Sequence, residues 1–187
     1  MALLAGDALL TYAFELLAKH YQDTPRIAAG LVLDLSIAGG SQKMIGGQVE
    51  DVLGERDGKM TPDKLEFIHH NKTAALITAA VTMGIRLSDS YDVQKLEVAR
   101  EIGKNIGLAF QVIDDILDVT SDDATMGKTT GLDAQNEKMT YVSLYGIERS
   151  REIAAELTGK AIADCQKLSD NCEFFKALIT YMQNRIN

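Results

Sequence analysis

The sequence predicts an all-α fold, a bundle of long, mostly antiparallel helices, and three observations carry that expectation. No segment alternates apolar and polar residues with period two. Apolar residues recur at three- and four-residue spacing through most of the chain. Both prolines directly follow a threonine, at Thr24-Pro25 and Thr61-Pro62. Thr before Pro is a helix start: the hydroxyl can cap the first turn, and Pro lacks only an N–H that would be unpaired there.

The predicted helices, in order, lie near 3–19, 24–52, 62–86, 91–119, 136–168 and 171–185. The first begins "LLAGDALLTYAF", with no basic segment ahead of it and with Asp7 interrupting its apolar run, so it does not read as a signal peptide. The second and third open at the two Thr-Pro pairs. Within the third, "TAALITAAVTMGI" is too short and too rich in Thr to cross a bilayer. In the fourth, Leu96, Ala99, Ile102, Ile106, Phe110, Ile113 and Leu117 form one apolar stripe. The connectors 54–60, 86–90 and 121–135 are rich in Gly, Asp, Ser and Thr, as turns require, and none reads as a linker. The expectation is a single helical domain over 1–187.

With 187 residues, 46 % of them hydrophobic, the chain can bury a core without disulfides or structural metal. Nineteen Lys and Arg against 27 Asp and Glu give a net charge of −8, which argues against nucleic acid and against an anionic membrane surface as partners. Any anion must therefore meet a local basic cluster. Cys165 and Cys172 make neither a zinc pattern nor a disulfide framework and read as reduced, partly buried thiols of a cytoplasmic protein.

The stretch "LAFQVIDDILDVT" at 108–120 sets three carboxylates into an oily segment. Residues four apart on a helix differ by about 40° in projection, so Asp114 and Asp118 share a face, with Asp115 within reach and Gln111 one turn earlier. Two readings follow. The acids are the solvated edge of an amphipathic helix, or they lie inside, where carboxylates must be paired, protonated or bound to a cation. Carboxylates on adjacent turns suit Mg²⁺, which takes one or two of them and completes its shell with water and phosphate oxygens. Three lysines could meet such a phosphate: Lys72 in "HHNKTAAL", Lys128 in "MGKTTG" and Lys138 in "QNEKMTY". Each alone is an ordinary surface charge. His69 and His70, being adjacent, point apart and read as surface residues; Gly103 and Gly107, one turn apart, read as a place of close helix packing.

Taken together, "FQVIDDILD" followed by "GKTTGLD" and "EKMTY", and preceded by "NKT" and "GGQVED", resembles the trans-type isoprenyl diphosphate synthases of the farnesyl and geranylgeranyl kind, over essentially the whole chain. The resemblance implies an isoprenoid synthase fold and an Mg²⁺-dependent prenyl transfer from an allylic diphosphate to isopentenyl diphosphate. It implies that Asp114, Asp115 and Asp118 form a second aspartate-rich motif, with Asp114 in particular holding Mg²⁺. Gln111 and Thr73, with the Lys72 carbonyl, would line the place where the allylic cation develops. Lys72, Lys128 and Lys138 would grip the allylic diphosphate, Phe110 would pack on the isopentenyl tail, and Gln48 and Asp51 would face the pocket.

The same resemblance implies a missing part. In that family a first aspartate-rich motif, the arginines after it and an isopentenyl-diphosphate segment precede the stretch that reads "LLAGDALL" here. The chain is therefore expected to be the C-terminal two-thirds of a synthase domain, with little or no activity alone, and a homodimer by family habit. Two rivals stand beside this reading: a non-catalytic small subunit of another synthase chain, and a helical interaction protein whose acids are all solvated.

Overall fold

The computed structural model describes residues 1–88, 92–120, 138–168 and 172–186. The described residues form helices and no strand, so the fold is the all-α bundle that the periodicity predicts. Helix α1 spans Ala2–His20, α2 Pro25–Gly39, α3 Met44–Asp57, α4 Pro62–Ile68, α5 Ala74–Arg86, α6 Val93–Thr120, α7 Tyr141–Tyr145, α8 Ile147–Leu168 and α9 Glu173–Gln183. None of them is long and apolar enough to cross a membrane.

Both Thr-Pro pairs start helices, but only one does so through its hydroxyl. Thr61 Oγ1 accepts from Lys64 N at 3.3 Å, whereas Thr24 Oγ1 turns back and donates to the Tyr21 carbonyl. The expected single helix over 24–52 is two helices. Gly39 and Gly40 together offer no side chain to hold the helical backbone, and α2 ends there before α3 begins at Met44. The expected helix over 136–168 is also divided, by Gly146 at φ 78°. Ahead of it α7 is fixed by a reciprocal cap: Thr140 Oγ1 accepts from Ser143 N, and Ser143 Oγ accepts from Thr140 N.

The helix predicted over 62–86 is interrupted in a different way. Residues His69–Thr73 form a π turn between α4 and α5, in which the Asn71 side chain donates to the Phe67 carbonyl at 2.8 Å. Such wider turns carry one extra residue and commonly occur where a site needs a side chain re-aimed.

Helix α6, 28 residues and so about 42 Å long, is the axis of the bundle. On one side Ile102, Ala109, Val112, Ile113, Ile116 and Leu117 pack on α8 and α9 through Ala154, Ala161, Cys165, Ile179 and Met182. On another side α6 meets α5 at Gly103 and Gly107. A Cβ on Gly103 would stand 2.5 Å from Thr78 Cα, and one on Gly107 2.4 Å from Ala74 Cα, so the predicted close packing is met by backbone on backbone. The predicted stripe holds at Leu96, Ala99, Ile102, Ile113 and Leu117 but not at Phe110, which is 38 % exposed. Cys165 is buried, and the half-buried Cys172 thiol donates to its carbonyl; both are free.

Candidate functional site

The C-terminal half of α6, the π turn and α3 converge at one end of the bundle, and local packing explains why. Gly47 on α3 lies so close to the π turn that an added Cβ would stand 2.4 Å from Lys72 N. That contact sets the following α3 turns against the same turn of chain. Asp51, one turn beyond, is buried and accepts a hydrogen bond from Lys72 Nζ, while Glu55, a further turn on, pairs with Lys138 Nζ at 3.4 Å. Helix α3 thus presents Gln48, Asp51 and Glu55 along one edge, with Gln48 exposed.

Across from it a continuous hydrogen-bond chain runs through the acidic helix. Thr73 Oγ1 donates to Gln111 Oε1 at 3.1 Å, Gln111 Nε2 donates to Asp115 Oδ1 at 3.0 Å, and Asp115 Oδ2 accepts from Tyr141 N at 2.9 Å. The amide orientation of Gln111 follows from its neighbours: a carboxylate can only accept, so the NH₂ end faces Asp115 and the carbonyl end faces Thr73. Asp115 and Asp118 are buried and Asp114 is half-buried. The reading of all three acids as a solvated edge is therefore excluded by burial. Among the described residues no three acidic, His or Cys side chains converge into a ready metal cluster.

His69 departs from its expected place on the surface. It is 6 % exposed, stacks on Tyr141 with ring centroids 5.3 Å apart, and leaves Nδ1 without a hydrogen-bond partner. The π turn rotates it inward against α7. Burial, with the Lys138 charge next in importance, pushes its pKa down from 6.5 to about 4. Burial likewise pushes the Tyr141 hydroxyl up to about 12. His70, on the other side of the turn, is half-buried and faces Glu66 at 3.5 Å.

Two consequences of these contacts can be measured. As pH falls below 6.5 the unfolded chain protonates His69 while the folded chain does not until about 4. Stability therefore falls with pH across that window, by up to about 3 kcal/mol, and His69→Gln flattens the loss in urea titrations run at about pH 7 and about pH 5. The second concerns Lys72, whose side chain is 33 % exposed while that of Asp51 is 7 % exposed. Lys72→Met strands a buried carboxylate and costs about 2 kcal/mol, less than a wholly buried pair would, and Asp51→Asn added to it recovers most of the loss.

Of the residues singled out from sequence, Lys72, Thr73, Gln111, Asp115 and Asp51 are joined by hydrogen bonds into two adjoining groups, with Asp114 and Asp118 on the next turns of α6. Lys138 joins through Glu55, and Phe110 presents an exposed ring one residue before Gln111. Lys128 lies outside the described residues. Sequence reasoning missed Glu55 and the burial of His69. The four-residue spacing of Asp51 and Glu55 was the available signal for the first; nothing local marks the second.

Comparison with known proteins gives consistent matches. Residues 1–178 match the polyprenyl synthetase family. The farnesyl diphosphate synthase of Micrococcus luteus is 42 % identical over 187 residues, covering 98 % of this chain and 62 % of that protein. The chloroplastic geranylgeranyl pyrophosphate synthase of Capsicum annuum is 41 % identical over 162 residues, covering 86 % of this chain and 44 % of that one. A geranyltransferase from Helicobacter pylori, solved in complex with magnesium and isoprenyl diphosphate, matches with TM-score 0.82 at 36 % identity, over 99 % of this chain and 60 % of its own. The chain thus spans less than two thirds of the length of these relatives.

Proposed function

Because the chain belongs to the polyprenyl synthetase family, we propose that it carries the allylic-diphosphate and metal half of a farnesyl- or geranylgeranyl-type synthase, which joins isopentenyl diphosphate to an allylic diphosphate. The observation that carries this reading is the chain from Thr73 through Gln111 to Asp115 beside the Lys72–Asp51 pair. It joins an oriented amide and a cation at one end of a helix that also bears two further carboxylates.

Each residue then has a task its own contacts support. Lys72 has three donors and uses one on Asp51, which holds the ammonium in place for a diphosphate oxygen. Lys138, held by Glu55, and Lys128 supply further positive charge. Gln111, clamped through its NH₂ on Asp115, keeps its carbonyl dipole beside the Thr73 hydroxyl, where negative ends of both stabilise a developing allylic cation without reorganising. Phe110 offers an exposed ring to the isopentenyl tail, and the exposed Gln48 on α3 is the further polar side chain of the substrate site.

The donor set fits Mg²⁺ in a particular way. Asp115 holds the Gln111 amide and the Tyr141 N–H, and Asp114 and Asp118 stand beside it on α6, so that the three carboxylates would together hold a hard cation that also takes water and phosphate oxygens, with Asp114 in particular as its ligand. Bound Mg²⁺ would supply charge neutralisation to the departing diphosphate. The side chains of this chain then orient the allylic carbon, exclude water and hold the leaving group.

The expected result with the 187-residue chain is Mg²⁺-dependent binding of inorganic pyrophosphate, measured by calorimetry, without prenyl product from dimethylallyl and isopentenyl diphosphates. Product formation would overturn the inactivity of the chain alone. Binding that is indifferent to Mg²⁺ would overturn the site.

An exposed apolar helix bears on partners. Helix α1 has no buried residue and exposes Leu3, Leu4, Leu9, Leu10 and Tyr12 by half or more. Patches of that kind are covered in working proteins, and the proposed cover is a second copy. The chain should sediment as a dimer, and Leu4→Lys with Leu9→Lys should return it to the monomer. Monomeric wild type that instead captures a second synthase chain and restores its turnover would favour the small-subunit reading.

A further inference from the structure

A cavity of about 560 Å³ opens between α2, α5 and α6. It contains none of Gln48, Asp51, Lys72, Thr73, Phe110, Gln111, Asp114, Asp115, Asp118 or Lys138. Its size is that of a small-molecule site.

The floor is made of Ala38, Ala75 and Ala79 with Thr78 and Thr82. Both Thr hydroxyls are already spent, Thr78 on the Ala74 carbonyl and Thr82 on the Thr78 carbonyl, each at 2.7 Å. The floor therefore offers methyl groups and almost no hydrogen-bonding demand. The rim is different: Lys43, His70 and Lys104 reach it from α3's start, the π turn and α6. All three line the same cavity, and burial followed by the Lys104 charge, with Lys43 also contributing, lowers the pKa of His70 against the raising effect of Glu66.

The acidic residues of the cavity answer the two lysine charges only in part. Asp34 is held bidentately by Arg86 at 2.9 and 3.0 Å, in a pocket left by Gly30, and Glu101 reaches Lys104 only at 3.8 Å across an exposed helical step. Arg100 pairs with Glu97. Among the described residues Lys43 has no carboxylate within ion-pair distance. An apolar helix laid into this cavity would strand those cations away from water, which is costly. A ligand that brings a negative head and an apolar body would meet both parts.

We infer that the α2–α5–α6 cavity is a second binding site, for a free amphiphilic anion: a phosphate ester with a short apolar tail whose head meets Lys43, His70 and Lys104 and whose tail lies on the alanine and threonine floor. The site owes nothing to metal, so it is separable from the one proposed above.

The experiment titrates the full chain with n-octyl phosphate below its micelle concentration, in EDTA, by calorimetry. Expected is saturable binding at least tenfold tighter than inorganic phosphate, weakened at least tenfold in Lys43→Gln/Lys104→Gln and weakened by Ala75→Leu, which fills the floor. Lys72→Gln should leave it intact while removing Mg²⁺-dependent pyrophosphate binding, so failure of either site is read separately. Equal affinity for inorganic phosphate, or undiminished binding in the double variant, overturns the proposal. Sedimentation with phosphatidylglycerol vesicles that the double variant abolishes would assign the charge to a lipid headgroup and overturn the free-ligand reading.

Discussion

Asp114→Ala is expected to lower the affinity for inorganic pyrophosphate in the presence of Mg²⁺ by roughly 100-fold or more, the upper end of what even an outer-shell change costs a metal site. The reason is the division of labour on α6. Asp115 also holds Gln111 and the Tyr141 N–H. Asp114 is the half-buried acid of the three and sits one turn beyond Gln111. Calorimetry with and without Mg²⁺ measures the loss, and an unchanged melting temperature shows that the fold is not its cause. Glu148→Ala, an exposed acid on the first turn of α8, serves as the charge control. Pyrophosphate binding that survives in Asp114→Ala would remove the metal site proposed here.

The second large effect is on stability and comes from one methyl group. Gly107→Ala would put a Cβ 2.4 Å from Ala74 Cα and 2.5 Å from Ala74 Cβ, against backbone that cannot swing aside. Helices α5 and α6 must then separate, and overpacking of this kind costs about 3 kcal/mol. The same change at Gly159 on α8 meets nothing within 4 Å. There it should stabilise the chain by about 0.5–1 kcal/mol, because an unhindered helical Gly wastes backbone freedom. Urea unfolding of the two variants side by side tests the pair: equal shifts would mean that the α5–α6 approach is looser than described. The effect should also appear as weaker pyrophosphate binding in Gly107→Ala, since α5 begins directly after Thr73.

Much of this arrangement was legible in local pattern. Thr61 before Pro62 announces a helix start and delivers one, hydroxyl cap included. The acidic stretch set among Val112, Ile113, Ile116 and Leu117 left a solvated edge and an interior helix both open, and the burial of Asp115 and Asp118 decides for the interior. Gly103 and Gly107 read as a seam and are one. Where the helix boundaries erred, the cause was local backbone geometry. Gly39-Gly40 and Gly146 each ended a helix that apolar spacing alone would have continued, and the π turn at His69–Thr73 added a residue that no hydrophobic period records. That one extra residue turns His69 inward onto Tyr141 and changes which faces of α4 and α5 are aligned. Phe110 matched the stripe by spacing and is exposed all the same, because the stripe counts positions and not neighbours.

The sequence by itself determined the class of fold and the seam glycines, which follow from which residue types stand three and four apart, and the resemblance to the family, which rests on the set of motifs from "GGQVED" to "EKMTY". Only the tertiary structure decided the pairings. Asp51 with Lys72, Glu55 with Lys138, Thr73 with Gln111, and Asp34 with Arg86 join residues 21 to 83 positions apart. It also decided that Asp115 is a hydrogen-bond hub and that a basic-rimmed cavity lies between α2, α5 and α6. Periodicity reports which way a side chain faces along its own helix. What it meets there depends on how close neighbouring helices come, and that distance is set by contacts such as Gly47 on Lys72 and Gly107 on Ala74.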